Sequence, residues 1–88
     1  MQIYIRFLAI GNNLKKDYAP FSVPENANAG FLFGAIETAG HAGVFCAAAD
    51  WPGLPDQVLF AADAHMLRPD EQLQEGQQIS IIGQMIGG

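Results

Sequence analysis

Apolar and polar residues alternate with a period of two from Met1 to Ile10. That predicts a strand with Ile3, Ile5, Phe7 and Ala9 on one face and Tyr4, Arg6 and Leu8 on the other. Gly11-Asn12-Asn13 supplies turn chemistry. Tyr18 to Val23 reads as a second, antiparallel strand, which Pro20 confines to a sheet edge and Pro24 closes. Over residues 28–39 the period lengthens, with Phe31, Leu32, Ala35, Ile36 and Ala39 at helical spacing. Asn26 or Asn28 can cap that helix, Glu25 suits the positive end of its dipole, and Gly40 fits the position just past its end. Gly34 inside the helix costs about 1 kcal/mol against alanine, which predicts a close neighbour there.

The pattern is lost between His41 and Pro55. Val44 to Ala49 fits a short helix or an irregular strand, and Trp51-Pro52-Gly53-Leu54-Pro55 is a loop. It returns over Gln57 to Ala62, a strand with Val58 and Phe60 on one face. Asp63-Ala64 makes a turn into a short return strand, His65-Met66-Leu67. Arg68 to Leu73 is read as a single helical turn that sends Leu73 inward, and Glu75-Gly76 as a tight turn. The last strand, residues 77–82, puts Ile79 and Ile81 on one side and Gln78 and Ser80 on the other, with Ile82 breaking the alternation. One main helix crossing one mixed sheet is an α+β layout, and 88 residues without repeats make one domain.

Composition narrows the classes of function. Half of the residues are hydrophobic and 15% charged, which excludes a disordered chain. A net charge of −5 argues against nucleic acid or an anionic membrane surface and favours a basic protein partner. One cysteine allows no internal disulfide and suits a reducing compartment. No apolar run approaches the roughly 20 residues that span a bilayer. Arg6 interrupts any signal-peptide pattern, so a cytoplasmic location is expected.

Few side chains propose chemistry. Cys46 lies among Val44, Phe45 and three alanines, as a buried structural thiol would, rather than a sulfur relay. Asp63 and His65 are half a metal site at most, so no metal site is assigned. His41 suits the negative end of the helix dipole, and Gly40-His41-Ala42-Gly43 is too short for a phosphate loop. Lys15 and Lys16 are a solvated loop, a docking surface or a conjugation target. Phe7, Phe31, Phe33 and Trp51 exceed what one helix covers, leaving core packing or an apolar contact patch for some of them.

After Ile82 the pattern dissolves into Gly83-Gln84-Met85-Ile86-Gly87-Gly88. Two glycines let a backbone thread a narrow channel. Four extended residues, Met85 to Gly88, reach roughly 13 Å. A terminal carboxylate is ionised at neutral pH and a poor electrophile until activated. Residues 83–88 are therefore expected to be a flexible tail carrying the working end of the protein, with few contacts over residues 84–88.

The order of elements, Leu73-Gln74-Glu75-Gly76-Gln77-Gln78-Ile79-Ser80-Ile81-Ile82, and the ending Gln84-Met85-Ile86-Gly87-Gly88 resemble the MoaD/ThiS family of sulfur carriers. The resemblance implies a ubiquitin-like β-grasp fold with the first and last strands parallel at the sheet centre. It also implies that an adenylating enzyme of the MoeB/ThiF type activates Gly88 with ATP. A sulfur-transfer partner then makes the thiocarboxylate, and a molybdopterin synthase large subunit or a thiazole synthase takes the sulfur. On this pattern Gly87 and Gly88 are the reactive end, Gln84, Met85 and Ile86 are the partner-binding residues, and no cofactor is bound by the carrier itself. The family's acidic-Gly-acidic turn is here Glu75-Gly76-Gln77. Gly83-Gln84 leans toward ThiS, while the length and the segment 41–56 lean toward MoaD. A protein modifier conjugated through Gly88 and a non-catalytic binding module stand as alternatives.

Overall fold

The computed structural model describes residues 1–10, 14, 17–54 and 58–83. Its elements are β1 (Gln2–Leu8), β2 (Ala19–Ser22), α1 (Ala29–His41), a 3₁₀ turn at Ala48–Asp50, β3 (Val58–Ala62), β4 (His65–Met66) and β5 (Gln78–Gly83). The strands form one mixed sheet in the order β2-β1-β5-β3-β4. β1 and β5 run parallel, with Ile5 opposite Ile79 and Phe7 opposite Ile81, and the other neighbours pair antiparallel. The expected central parallel pair is present. Ile3, Ile5, Ile79 and Ile81 are fully buried on one face of this pair, together with Leu32 and Ile36 of α1. β2 lies at an edge, where the missing N–H of Pro20 breaks no ladder.

β1 ends before the alternation does. Ala9 takes φ 58° and is exposed, so it leaves the core face, while Ile10 beyond it returns to the core. Gly83, expected to open the tail, is the last residue of β5, paired with Val58 and buried. A Cβ on Gly83 would lie 2.5 Å from the Ala9 carbonyl oxygen.

Asn28 caps α1, its Oδ1 accepting from the Phe31 N–H at 2.7 Å. The two preceding amides, of Ala29 and Gly30, donate to the carbonyls of Glu71 at 3.0 Å and Pro69 at 2.9 Å. Residues 68–73 spend their backbone groups on this contact and fold as a turn closed by the Glu71 N–H on the Arg68 carbonyl, not as the expected helical turn. Leu73 does reach inward and is 4% exposed.

The glycines of α1 exchange the expected roles. Gly40 is inside the helix, and a Cβ there would stand 2.1 Å from the Trp51 ring. Gly43, at φ +84°, is the left-handed residue that ends it, with the Gly43 and Val44 N–H groups on the Gly40 and Ala39 carbonyls. At Gly34, where a close neighbour was expected, a Cβ would meet none of the described residues within 4 Å. Helical spacing also places Phe31 wrongly: the buried stripe is Ala29, Leu32, Ile36 and Gly40, and Phe31 is 48% exposed.

Residues 44–49 are neither strand nor α-helix. They bring Phe45 to an edge-on contact with Phe7, ring centres 5.0 Å apart, and lead into Trp51, 6.1 Å from Phe7. Most of the aromatic excess is thus core: Phe7 and Trp51 are buried and Phe33 is half-buried.

Asp63 and Ala64, at φ 53° and 67°, make the two-residue turn between β3 and β4. Beyond it His65 Nε2 meets Glu71 Oε2 at 2.7 Å. That hydrogen bond raises the His65 pKa above its ordinary 6.5 and lowers that of Glu71 below 4.5. Gly76, at φ +77°, turns the chain into β5 and donates its N–H to the Gln2 carbonyl at 2.7 Å, while Glu75 Oε2 accepts from the Gln2 N–H. This seats the start of β5 beside the start of β1.

Three glycine-to-alanine variants separate space from propensity. G34A adds helix propensity in open space and should stabilise by up to about 1 kcal/mol. G40A and G83A put a methyl into Trp51 and into the Ala9 backbone, and should destabilise by about 1–3 kcal/mol. Urea unfolding of the three proteins checks the order, and a stabilised G40A or G83A would contradict the packing.

The His65–Glu71 pair contributes most when both groups are charged. Its contribution is complete below the unfolded histidine value of 6.5 and is lost as pH rises through the higher folded value. At the acid end it is complete above the unfolded glutamate value of 4.5 and is lost as pH falls through the lower folded value. An NMR titration of the His65 ring should give a midpoint above 6.5 that falls in Glu71→Gln; an unchanged midpoint would remove the pairing.

Candidate functional site

Gly87 and Gly88, expected to be the reactive end, and Gln84, Met85 and Ile86, expected to bind the partner, lie outside the described residues, as do Lys15 and Lys16. The structure places what they follow. Gly83 ends the middle strand of five, between β1 and β3, so the segment begins at the centre of the sheet. A strand held on both sides resists displacement better than an edge, and a pull on residues 84–88 loads two ladders at once.

The face of the sheet away from α1 carries the polar positions of the alternating strands. The register sets them in rows: Leu8, Ile82 and Leu59 form one, and Arg6, Ser80 and Ala61 the next. The first row is apolar and half-buried. Its Ile82, which breaks the alternation of β5, is therefore the centre of a small apolar patch one residue before Gly83.

The second row holds the face's organised polar group. Arg6 Nε donates to Ser80 Oγ at 2.7 Å, and the Arg6 guanidinium carbon lies 4.7 Å from the centre of the Tyr18 ring. The Tyr18 hydroxyl is 3.4 Å from Ser80 Oγ, and Ser80 is 5% exposed, the one buried polar side chain among the described residues. Sequence reasoning put Arg6 and Ser80 on polar strand positions. It could not pair them, because the two residues are 74 positions apart and only the β1–β5 register makes them neighbours.

The other candidates have structural partners. His65 binds Glu71 across the turn, and no three His, Cys, Asp or Glu side chains gather among the described residues. His41 closes α1 with Nε2 3.3 Å from Glu37 Oε2, while Glu37 Oε1 accepts the Leu54 N–H. Cys46, expected to be buried, is half-buried against the core. Gly40-His41-Ala42-Gly43 is the end of α1. Among the described residues no helix is long and apolar enough to cross a membrane.

No family model and no curated protein matches this sequence. Solved structures do match the fold. SAMP1 from Haloferax volcanii superposes with a TM-score of 0.66 at 16% identity, covering 100% of both chains. A ubiquitin-like protein from the hyperthermophilic archaeon Caldiarchaeum subterraneum gives 0.52 at 22% identity, covering 99% of this chain and 100% of that one. With the central parallel pair, the crossing helix and these likenesses, the fold is a ubiquitin-like β-grasp.

Proposed function

We propose that this chain is a sulfur carrier of the MoaD/ThiS kind, with the carboxylate of Gly88 as its reactive group. The observation that supports the reading is a β-grasp sheet whose central strand ends at Gly83, followed in sequence by five residues closing in Gly-Gly. The carboxylate oxygen attacks the α-phosphate of ATP in an adenylating enzyme and releases pyrophosphate. A persulfide sulfur then displaces AMP from the mixed anhydride, and a thiol cleaves the S–S bond to leave the thiocarboxylate. Gln84, Met85 and Ile86 lie along the partner's channel, where glycine at positions 87 and 88 lets the backbone pass. Sulfur goes next to a cofactor precursor held by a synthase, either the dithiolene of molybdopterin or the thiazole of thiamin. The carrier supplies reach and docking; acid-base groups belong to its partners. The whole cycle suits a cytoplasmic setting.

A second reading shares the first step. In a protein modifier the activated Gly88 passes to an amine of a target, and the likeness to an archaeal ubiquitin-like protein favours keeping it beside the first. Mass spectrometry of protein from its native cell separates the two. A gain equal to sulfur replacing oxygen marks the carrier, and ladders of heavier species mark the modifier.

Deleting Gly88, or replacing it with a bulkier residue, should leave stability within about 0.5 kcal/mol of wild type. The same changes should abolish ATP-dependent thiocarboxylation. Deletion withdraws the carboxylate by roughly 3.3 Å, and errors of about 1 Å cost on the order of 100-fold in rate. Melting temperature and thiocarboxylate yield, measured side by side, test this. Wild-type yield from the truncated chain would sink the reading.

A further inference from the structure

Gly34 stands inside α1 at a cost of about 1 kcal/mol against alanine, yet a Cβ there would meet none of the described residues within 4 Å. Nothing described in this chain calls for the missing side chain. The rest of the same helix face is as unusual. Phe31, Gly34, Ala35, Thr38, Ala39 and Ala42 line one shallow depression along it. A surface helix ordinarily turns charged residues to water. The charged or titratable residues of α1 are Glu37 and His41 alone, and they meet each other at 3.3 Å, with Glu37 also accepting the Leu54 N–H. Phe31 is 48% exposed near the start of the face, and only small side chains follow it to the end.

We propose that this face of α1 pairs with the same face of a second copy of the chain, the two helices antiparallel about a two-fold axis. The order of sizes selects the occupant. Ala42 follows Phe31 by 11 positions (42 − 31), roughly 16 Å of helix, so the large and small ends lie well apart on one face. Reversal sets Phe31 of one copy over Ala42 of the other, with Gly34 over Ala39 and Ala35 over Thr38. A parallel pair would set Phe31 against Phe31 and leave the small end uncovered. A surface that complements itself when reversed is what an isologous contact requires. Gly34 then has its close neighbour, the helix of the second copy, which explains a glycine that the fold alone does not. Charge agrees with the same occupant. Two chains of net −5 meet where the face presents no Lys, Arg, Asp or Glu, and a charged partner would find nothing there to pair with. A face roughly 16 Å long and about 10 Å wide hides less than the roughly 600 Å² per copy at which standard interfaces begin. The pair is therefore weak and reversible, with a dissociation constant on the order of 0.1–1 mM. Arg6 and Ser80 lie on the face of the sheet away from α1, so pairing leaves that face free. The dimer goes beyond the sulfur-carrier reading and does not need it.

The test follows the full ¹⁵N-labelled chain by NMR from about 10 µM to about 1 mM. The rotational correlation time should rise toward that of two chains. The Phe31, Gly34, Thr38 and Ala39 amides should shift with concentration, while those of Gln78 and Ser80 stay. Gly34→Ala should raise the melting temperature and yet weaken association on the order of ten-fold, because its methyl enters the closest approach. Thr38→Lys and Thr38→Glu set like charges beside the two-fold axis and should each be monomeric alone, and an equal mixture of the two should associate again. A single-chain correlation time at about 1 mM, concentration-dependent shifts confined to residues outside α1, or unweakened association of Gly34→Ala would overturn the proposal. So would a mixture of the Thr38 variants that associates no better than either alone. If phosphatidylcholine vesicles shift the same amides while the chain alone stays monomeric, the face binds lipid and the proposal falls. Should the Thr38 variants fail to fold, Gly34→Ala and the wild-type shifts decide. No step of this assay involves Gly88, so its failure leaves the thiocarboxylation test untouched, and the converse holds.

Discussion

The pairing of β1 with β5 joins strands from opposite ends of the chain, and its register decides both faces of the sheet. Ile5 opposite Ile79 and Phe7 opposite Ile81 fill the core under Leu32 and Ile36. Each such side chain contributes about 1.5–3 kcal/mol when fully buried. A slip of β5 by one residue would turn Ile79 and Ile81 to the open face and bring Gln78 and Ser80 inward. The Glu75-Gly76 turn resists that slip at one end, through its two bonds to Gln2. Gly83 resists it at the other, because only a residue without a Cβ fits against Ala9.

The helix is positioned by a different segment from the one that shapes it. Its sequence supplies the cap, Asn28, and the buried stripe, but its first amides point at the carbonyls of residues 69 and 71. Those contacts consume the donors that a helix N-terminus offers to an anion. The His65–Glu71 pair ties the same turn back to β4, so helix and outer hairpin are locked together. At the far end Trp51 fits against Gly40, and the segment 41–54, without regular structure over most of its length, closes the core with two aromatic rings.

Function, on this architecture, is a matter of what the sheet presents. Among the described residues no three His, Cys, Asp or Glu side chains gather as a metal site would need. The described residues do hold a rigid open face with an anchored guanidinium and an apolar row, both within a few residues of Gly83.

The alternation of Ile3, Ile5 and Phe7, of Val58 and Phe60, and of Ile79 and Ile81 was enough to define the three main strands, since a period of two assigns faces without knowledge of neighbours. Asn26 or Asn28, Pro20 and Glu75-Gly76 marked a cap, an edge and a turn for equally local reasons, and the structure chose Asn28 as the cap. The Gly-Gly ending is readable only as residue types, and its chemistry rests on resemblance. What tertiary structure alone decided involves partners distant in sequence. Gly40 looked like a helix stop until Trp51 was set against it, and Gly34 looked like a contact, yet no described residue lies within 4 Å of a Cβ there. Residues 68–73 had the composition of a helical turn, but the amides of Ala29 and Gly30 drew their carbonyls away. Arg6 and Ser80 were two polar positions 74 residues apart until parallel pairing made them one site. Local pattern fixes which way a side chain points; only the closed sheet fixes what it meets.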